Sequence, residues 1–316
     1  MNALANARRD RVNVDKAVIE LVCGDCVPIL DSLQAKCVDC TVTSPPYNLG
    51  IGYEVYDDSI PREEYLSWTG RWLRAVRRVT TDQGSLFLNM GGKPKDPLGP
   101  EQVLMKAVEE GWVLQNKIYW VKSISVRVKT KEELIRQVCA KAGYTDTAAN
   151  VIVRCFREIE GENGKERSFG HFKPLNSDRF VNDTVELVYH LTRDGHVDLD
   201  KLAVGVQYED LSNLTRDNRG KNGNVRCRGN SWWIPYETIK NRDEDRPHPA
   251  TYPIELAERC FKLHGLSRIQ ATLDPFSGLG NTALAAARLG LNHVGIELGP
   301  KTHREALRRV QEESLS

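Results

Sequence analysis

Short apolar runs alternate with segments of helical period along most of this chain, and that alternation constrains the fold more than any other feature. The runs "AVIELVC", "CVDCTVT", "GSLFLNM" and "WVLQNKIYWVK" have the length and composition of buried strands. Between them, "PREEYLSWTGRWLRAVRRV" places Tyr65, Trp68, Trp72, Leu73 and Val76 at helical spacing, with Pro61 near the first turn. Its aromatic stripe reads as core. "PEQVLMKAVEEG" is a second helix, closed by Gly111. The tail repeats the scheme with helix "YPIELAERCFKLHG", strand "ATLDPF", helix "TALAAARLG", strand "HVGIEL" and a final helix. A strand that returns to its own sheet through a helix runs parallel to its predecessor, so the pattern predicts an α/β domain, a mostly parallel twisted sheet covered on both faces.

The alternation breaks after about residue 126, and this divides the chain. Residues 17–126 form the first part of the domain. Residues 127–167 read as a helical insertion with Thr130 as N-cap and Glu132 and Glu133 suited to the positive helix end. Residues 168–198 are expected to complete the sheet with an antiparallel hairpin, 199–246 to form a smaller, loop-rich lobe, and 247–316 to return to the α/β domain.

Composition excludes some classes. With 316 residues and 40% hydrophobic content the chain supports a substantial core. It has no apolar run approaching the ~18 residues of a membrane span and no apolar stretch after its basic start to act as a signal, so it reads as cytosolic with no membrane partner. A net charge of +1 leaves nucleic-acid binding to local clusters. The richest is "RDNRGKNGNVRCRGN", where Arg216, Arg219, Lys221, Arg226 and Arg228 face only Asp217. It is either a solvated loop or a phosphate-contacting one. Two Cys-x-x-Cys pairs, Cys23 with Cys26 and Cys37 with Cys40, have zinc-like spacing but lie in buried apolar segments. Packing is the favoured reading, and no metal is expected.

"DPFSGLGNTALAAARLGLNHVGIEL" is a strand end, a glycine turn, a helix start and a second strand ending in Glu297. Gly278 and Gly280 let backbone approach a ligand closely, and the new helix offers free N–H groups. Together with Ala283 they fit a loose dinucleotide pattern, with Glu297 placed to meet ribose hydroxyls. A P-loop is excluded, because no Lys followed by Ser or Thr comes after Gly280. A nicotinamide cofactor and S-adenosylmethionine compete for the turn. Asp274 favours the second, since a carboxylate there suits an ammonium group and repels a pyrophosphate.

"TSPPY", residues 43–47, is the other constrained stretch. Proline fixes its own φ and holds the preceding residue extended, so Pro45 and Pro46 aim their carbonyls in advance. That rigidity suits a hard reaction. The lone pair of a base's exocyclic amine is delocalised into the ring, and two acceptors on its hydrogens, the Ser44 hydroxyl and the Pro45 carbonyl, favour a pyramidal nitrogen able to attack a methyl donor. The ring of Tyr47 offers a stacking face for a base flipped out of its duplex.

These residues resemble the amino-methylating DNA methyltransferases of the permuted, β-class arrangement. "TSPPY" at 43–47, "RPHPATYP" at 246–253 and "DPFSGLGNT" at 274–282 stand in the order of that family, and "VCGDCVPIL" resembles its Gly-Asp motif. The resemblance covers about residues 20–125 and 168–310. It implies a Rossmann-like methyltransferase fold, S-adenosyl-L-methionine as cofactor and double-stranded DNA as partner, with a cognate restriction endonuclease and a homodimer as further partners. Carried over by residue, it implies that Asp274, Phe276, Gly278, Gly280, Asn281 and Thr282 form the cofactor loop. Glu297 would bind the ribose, Asp25 the adenine edge, and His248, Pro249 and Ala250 would close over the methionine end. Serine before Pro-Pro resembles the N4-cytosine enzymes and aspartate there the N6-adenine ones, so cytosine is the expected base. C5 methylation is disfavoured, since it needs a Pro-Cys dipeptide that this chain lacks. The alternatives are an N6-adenine DNA or RNA methyltransferase on the same scaffold and a non-catalytic nucleic-acid-binding module.

Overall fold

The computed structural model describes residues 8–126, 131–143, 145–151, 167–170, 178–181, 183–208, 224–236 and 251–315. Among these, β1 (Arg8–Val14), β2 (Ala17–Cys23), β3 (Val38–Thr43), β4 (Thr80–Met90), β5 (Val113–Val126), β6 (Arg167–Gly170) and β7 (Val185–Thr192) join one sheet. So do β10 (Ser231–Tyr236), β11 (Ala271–Asp274) and β12 (Asn292–Glu297), while β8 (Val206–Gln207) and β9 (Val225–Arg226) pair separately. The order across the sheet is β1-β2-β12-β11-β3-β4-β7-β5-β10, with β6 on β5. The five strands from β2 to β4 are mutually parallel. β7 lies antiparallel between β4 and β5.

Two apolar layers sandwich this sheet, and the strands feed them by alternation, broken on β3 where the register shifts between Val38 and Cys40. On β4, Leu86, Leu88 and Met90 enter one layer while Phe87 enters the other. The first layer is roofed by α1 (Cys26–Ser32), α2 (Arg62–Val79) and α3 (Gly99–Glu109), the second by α5 (Ile254–His264), α6 (Asn281–Arg288) and α7 (Pro300–Glu313). Helix α4 (Lys131–Lys141) stands in the insertion. α2 shows why the sequence folds this way. Glu63 and Glu64 occupy its first turn and Arg77 and Arg78 its last, so both dipole ends are compensated. Its apolar stripe buries Tyr65, Trp72, Leu73 and Val76, and truncating a side chain like Trp72 costs roughly 3–5 kcal/mol. Arg78 donates to the carbonyls of Leu30 and Leu33 at 2.6 and 2.7 Å, which closes the carboxyl end of α1.

The structure departs from the sequence reading in particulars. Residues 8–14 add an edge strand ahead of residue 17. The segment 168–198 holds most of β6 and all of β7, and these do not form a hairpin with each other, because β6 pairs with β5 and β7 inserts between β4 and β5. The helical reading of 127–167 holds for 131–141; its last residue, Arg167, opens β6, and Thr130 lies outside the described residues. Within 199–246, β10 is no part of a separate lobe: it extends the main sheet parallel to β5. It is an edge strand, which accommodates Pro235 without a lost ladder bond. The cysteine pairs do not converge. Cys26 sits in one apolar layer and Cys40 in the other, on opposite faces of the sheet. Among the described residues no group of three or more His, Cys, Asp or Glu is placed to hold a metal, and no helix is long and apolar enough to cross a membrane.

Candidate active site

The carboxyl ends of β2, β12, β11 and β3 are neighbours, and the loops that leave them surround a cavity of about 300 Å³. This is where ligands bind in open parallel sheets. Gly24 and Asp25 follow β2, Ser44 to Tyr47 follow β3, Pro275 to Leu279 follow β11, and Glu297 to Gly299 end and follow β12. A loop carrying Tyr53, Glu54, Val55 and Tyr56 covers the opening, and Trp68 of α2 supplies part of the wall. Trp68 is thus more than core, because the turn of α2 that carries it faces Phe276 at 5.5 Å between ring centres.

Local sequence builds the glycine side. Gly278 and Gly280 have φ of 51° and 78°, the left-handed region open to glycine, and this folds the turn back to start α6. A Cβ on Gly280 would stand 3.3 Å from Ala306 of α7. Glu297 braces the turn: Oε2 accepts from the Gly278 N–H at 2.9 Å and Oε1 from the Gly299 N–H at 2.7 Å. Burial raises its pKa, and each oxygen keeps a free lone pair for a hydroxyl in the cavity. Asp25 caps α1 by accepting from Val27 N–H at 3.0 Å. Phe276 lies edge-on to Trp72 at 5.2 Å. Asn281 lines the cavity and ties Tyr252 down, its Nδ2 donating to the Tyr252 carbonyl at 2.6 Å.

Asp274 departs from the expected role. Its carboxylate is buried and does not line the cavity. Oδ1 accepts from Thr43 Oγ1 at 2.6 Å and Phe276 N–H at 3.0 Å; Oδ2 accepts from Thr282 Oγ1 at 2.6 Å and Tyr252 Oη at 3.1 Å. These four groups crowd both oxygens, and the Tyr252 and Thr282 hydroxyls also bond each other, so no open approach is left for an ammonium group. Burial raises its pKa against these bonds. Asp274 is a hub joining the ends of β3 and β11 to α6. Thr282 and Gly280 likewise shape the turn from behind the cavity wall.

The proline side is assembled over longer distances. Pro45 and Pro46 line the cavity, and the Pro46 carbonyl accepts from Tyr65 Oη of α2 at 2.9 Å, which fixes the loop's height above the sheet. Ser44 Oγ and Tyr47 Oη are 2.5 Å apart. Asn89, at the end of β4, donates to Tyr47 Oη at 2.8 Å and to Glu186 Oε2 at 2.7 Å, and Tyr47 Oη donates to the same Glu186 oxygen at 3.3 Å. Lys122 Nζ meets Glu186 Oε1 at 2.7 Å. Sequence reading missed Asn89, Glu186 and Lys122, which carry no motif; it took Tyr65 for core alone and gave Thr43 of "TSPPY" no role.

The basic cluster is only partly described. Arg226 is exposed on β9, and Arg228 is half-buried with Nε donating to the Val204 carbonyl at 2.8 Å. Neither lines the cavity. Arg216, Arg219, Lys221, His248, Pro249 and Ala250 lie outside the described residues.

Whether this site suits an adenosine-bearing sulfonium can be judged from its own atoms. Ser277 Oγ is buried in the cavity wall with no hydrogen-bond partner, Glu297 retains acceptor capacity, and aromatic rings line the remainder. A polar, ribose-bearing ligand with a flat ring suits the Glu297 acceptors and the aromatic lining.

Comparison with known proteins agrees with this geometry. The N6_N4_Mtase family model, described as DNA methylase, matches residues 38–308. The type II methyltransferase M.ScaI of Streptomyces caespitosus is 29% identical over 304 residues, which span 93% of this chain and 81% of that protein. Among solved structures, the PvuII DNA methyltransferase (cytosine-N4-specific) shares the fold with a TM-score of 0.57 at 15% identity, covering 94% of this chain and 91% of that one. TTHA0409 of Thermus thermophilus, solved in complex with S-adenosyl-L-methionine, gives a TM-score of 0.53 at 20% identity over 92% of this chain and 93% of that one.

Proposed function

This chain belongs to the N6/N4 DNA methylase family, and from that premise we propose that it methylates the exocyclic N4 amino group of a flipped cytosine in double-stranded DNA, using S-adenosyl-L-methionine. The observation that carries the choice of base is Ser44: an uncharged hydroxyl, 2.5 Å from Tyr47 Oη, stands at the cavity where an adenine-type site would present a carboxylate. Bound in the cavity, the sulfonium supplies an electrophilic methyl group. Glu297 holds its ribose hydroxyls and Asp25 its adenine edge. Ser44 Oγ and the Pro45 carbonyl accept the two amino hydrogens, drawing the nitrogen toward a pyramidal geometry with its lone pair directed at the methyl carbon. The ring of Tyr47 stacks on the extrahelical base. Rigid prolines spare the reaction the cost of ordering these acceptors. Arg226 contacts DNA phosphates outside the cavity, and a cognate restriction endonuclease shares the recognition sequence.

The test is direct. DNA methylated by the protein, digested to nucleosides and weighed by mass spectrometry, is expected to yield N4-methylcytosine. N6-methyladenine instead would overturn the choice of base while keeping the enzyme class, and failure to bind S-adenosyl-L-methionine in a calorimetric titration would overturn both.

A further inference from the structure

A neutral hydroxyl at the amino group leaves one thing unprovided. The amino nitrogen gains a carbon and must lose a proton, and Ser44 has no charge with which to hold it. Among the described residues, hydrogen bonds lead from Ser44 to the Glu186 carboxylate through the Tyr47 hydroxyl and, by a longer 3.4 Å contact, through the Asn89 amide; of the two only the hydroxyl can relay a proton. Tyr47 Oη touches Ser44 Oγ on one side and Glu186 Oε2 on the other, at 2.5 and 3.3 Å. Asn89, almost fully buried, fixes both Tyr47 and Glu186 with its amide hydrogens. Lys122 binds the far oxygen, Oε1, and leaves Oε2 to the path. Both charged side chains are largely withdrawn from solvent, at 17% and 12% exposure for Lys122 and Glu186. Space has been cleared for the arrangement as well: a Cβ on Gly91 would come within 2.9 Å of the Tyr47 ring and 3.2 Å of Glu186.

We infer that Glu186 is the proton sink and negative pole for the target amino group, acting through Tyr47 and Ser44, with Lys122 holding its carboxylate in register. The inference rests on the amino-transfer reading above. Hydrogen-bond polarity supports it. Asn89 donates to Tyr47 Oη; with the Tyr47 proton given to Glu186, Ser44 donates to Tyr47 and presents a lone pair to the amino group, its other side lying 3.4 Å from Asn89 Nδ2. The balance closes. The N–C bond forms as the C–S bond of the sulfonium donor breaks; one amino proton passes to Ser44 Oγ, the Ser44 proton to Tyr47 Oη, and the Tyr47 proton to Glu186 Oε2. The base ends as a neutral methylamine, the donor as a neutral thioether, and Glu186 as a neutral acid that returns its proton to water between turnovers. A purely structural ion pair between β5 and β7 would be equally well placed, so the test must separate charge from scaffold.

In single-turnover methylation of duplex DNA, E186Q, which keeps the shape and one acceptor oxygen, is expected to slow transfer about 100-fold. Dissociation constants for DNA and S-adenosyl-L-methionine should change less than about twofold. Millimolar formate should restore at least part of the rate to E186A, which a structural role would not allow. The double variant S44A/E186Q should be no slower than S44A alone, because one path is already cut. Wild-type transfer by E186Q, or costs in the double variant that simply multiply, would overturn the inference. If E186A unfolds, E186Q and the double variant decide. A wild-type protein that methylates no amino group refutes the underlying function instead, and this inference with it.

Discussion

The two walls of the cavity are built on opposite plans. On the glycine wall most bonds are local: Glu297 reaches Gly299 two positions away and Gly278 nineteen away, Asp25 reaches Val27, and Asp274 reaches Phe276 and Thr282. On the proline wall they are remote: Tyr47 meets Asn89 across 42 positions and Glu186 across 139. Backbone amides do the work on the first wall and side chains on the second. A wall braced by its own backbone is a rigid receptacle, whereas one made of side-chain oxygens from several strands can be altered one atom at a time with the scaffold left standing. The contrast therefore predicts that mutations divide into those that cost stability and those that cost rate.

The largest effect tests the exception on the glycine side, where Asp274 reaches across to Thr43. Replacing Asp274 with alanine takes the partner from Thr43 Oγ1 and the Phe276 N–H, leaves Tyr252 and Thr282 only each other, and is expected to cost roughly 3–5 kcal/mol of stability, read from chemical denaturation. Wild-type stability would show that the two walls stand independently. Ser44→Ala is the converse case. It should slow single-turnover transfer by about 100- to 1,000-fold and leave the melting temperature within a few degrees; a marked drop in stability would erase the distinction between the walls.

Acid offers a third probe. Ser85 Oγ lies 2.9 Å from His190 Nε2 and 2.9 Å from His264 Nδ1, four residues back along β4 from Asn89. Burial lowers the two histidines to about 3 and about 4. They stay neutral in the folded protein while the unfolded chain takes up protons near its ordinary histidine pKa of ~6.5. Their contribution to stability is complete above that pH and is lost as pH falls toward 4 and 3, by up to about 1.4 kcal/mol per pH unit for each histidine. Denaturation midpoints at pH 7 and pH 5 measure it, and the S85A variant, which removes the bridge, separates bridge from burial. The smallest effect is expected from Tyr65→Phe, which frees the Pro46 carbonyl: a severalfold loss of rate, for about 1 kcal/mol, with stability little changed.

The same contrast explains what the sequence revealed. Gly278, Gly280, Glu297 and Asp25 were legible because their partners lie close along the chain and because a left-handed turn demands glycine. Ser44 to Tyr47 were legible through proline stiffness. Asn89, Glu186 and Lys122 were not: each is one of several polar residues in its strand with nothing to single it out, and only the pairing of β4, β7 and β5 brings them together. Asp274 was misread for a related reason. Its position at a strand end was plain, but nothing local reveals that Thr43 and Tyr252 come to claim its oxygens. The edge strand β10 was hidden too, since an aromatic "SWW" beside a basic loop does not reveal which sheet it joins.

One feature of the sheet bears on how the chain is made. β2 and β3 are consecutive in sequence, yet β12 and β11 lie between them. Until residue 271 leaves the ribosome, these two strands hold open a slot with unsatisfied amides along both sides, the kind of border that recruits stray polypeptide. β11 and β12, made after both neighbours, are the wedge that seals it, so a chain cut short of them would carry sticky borders rather than form a smaller enzyme.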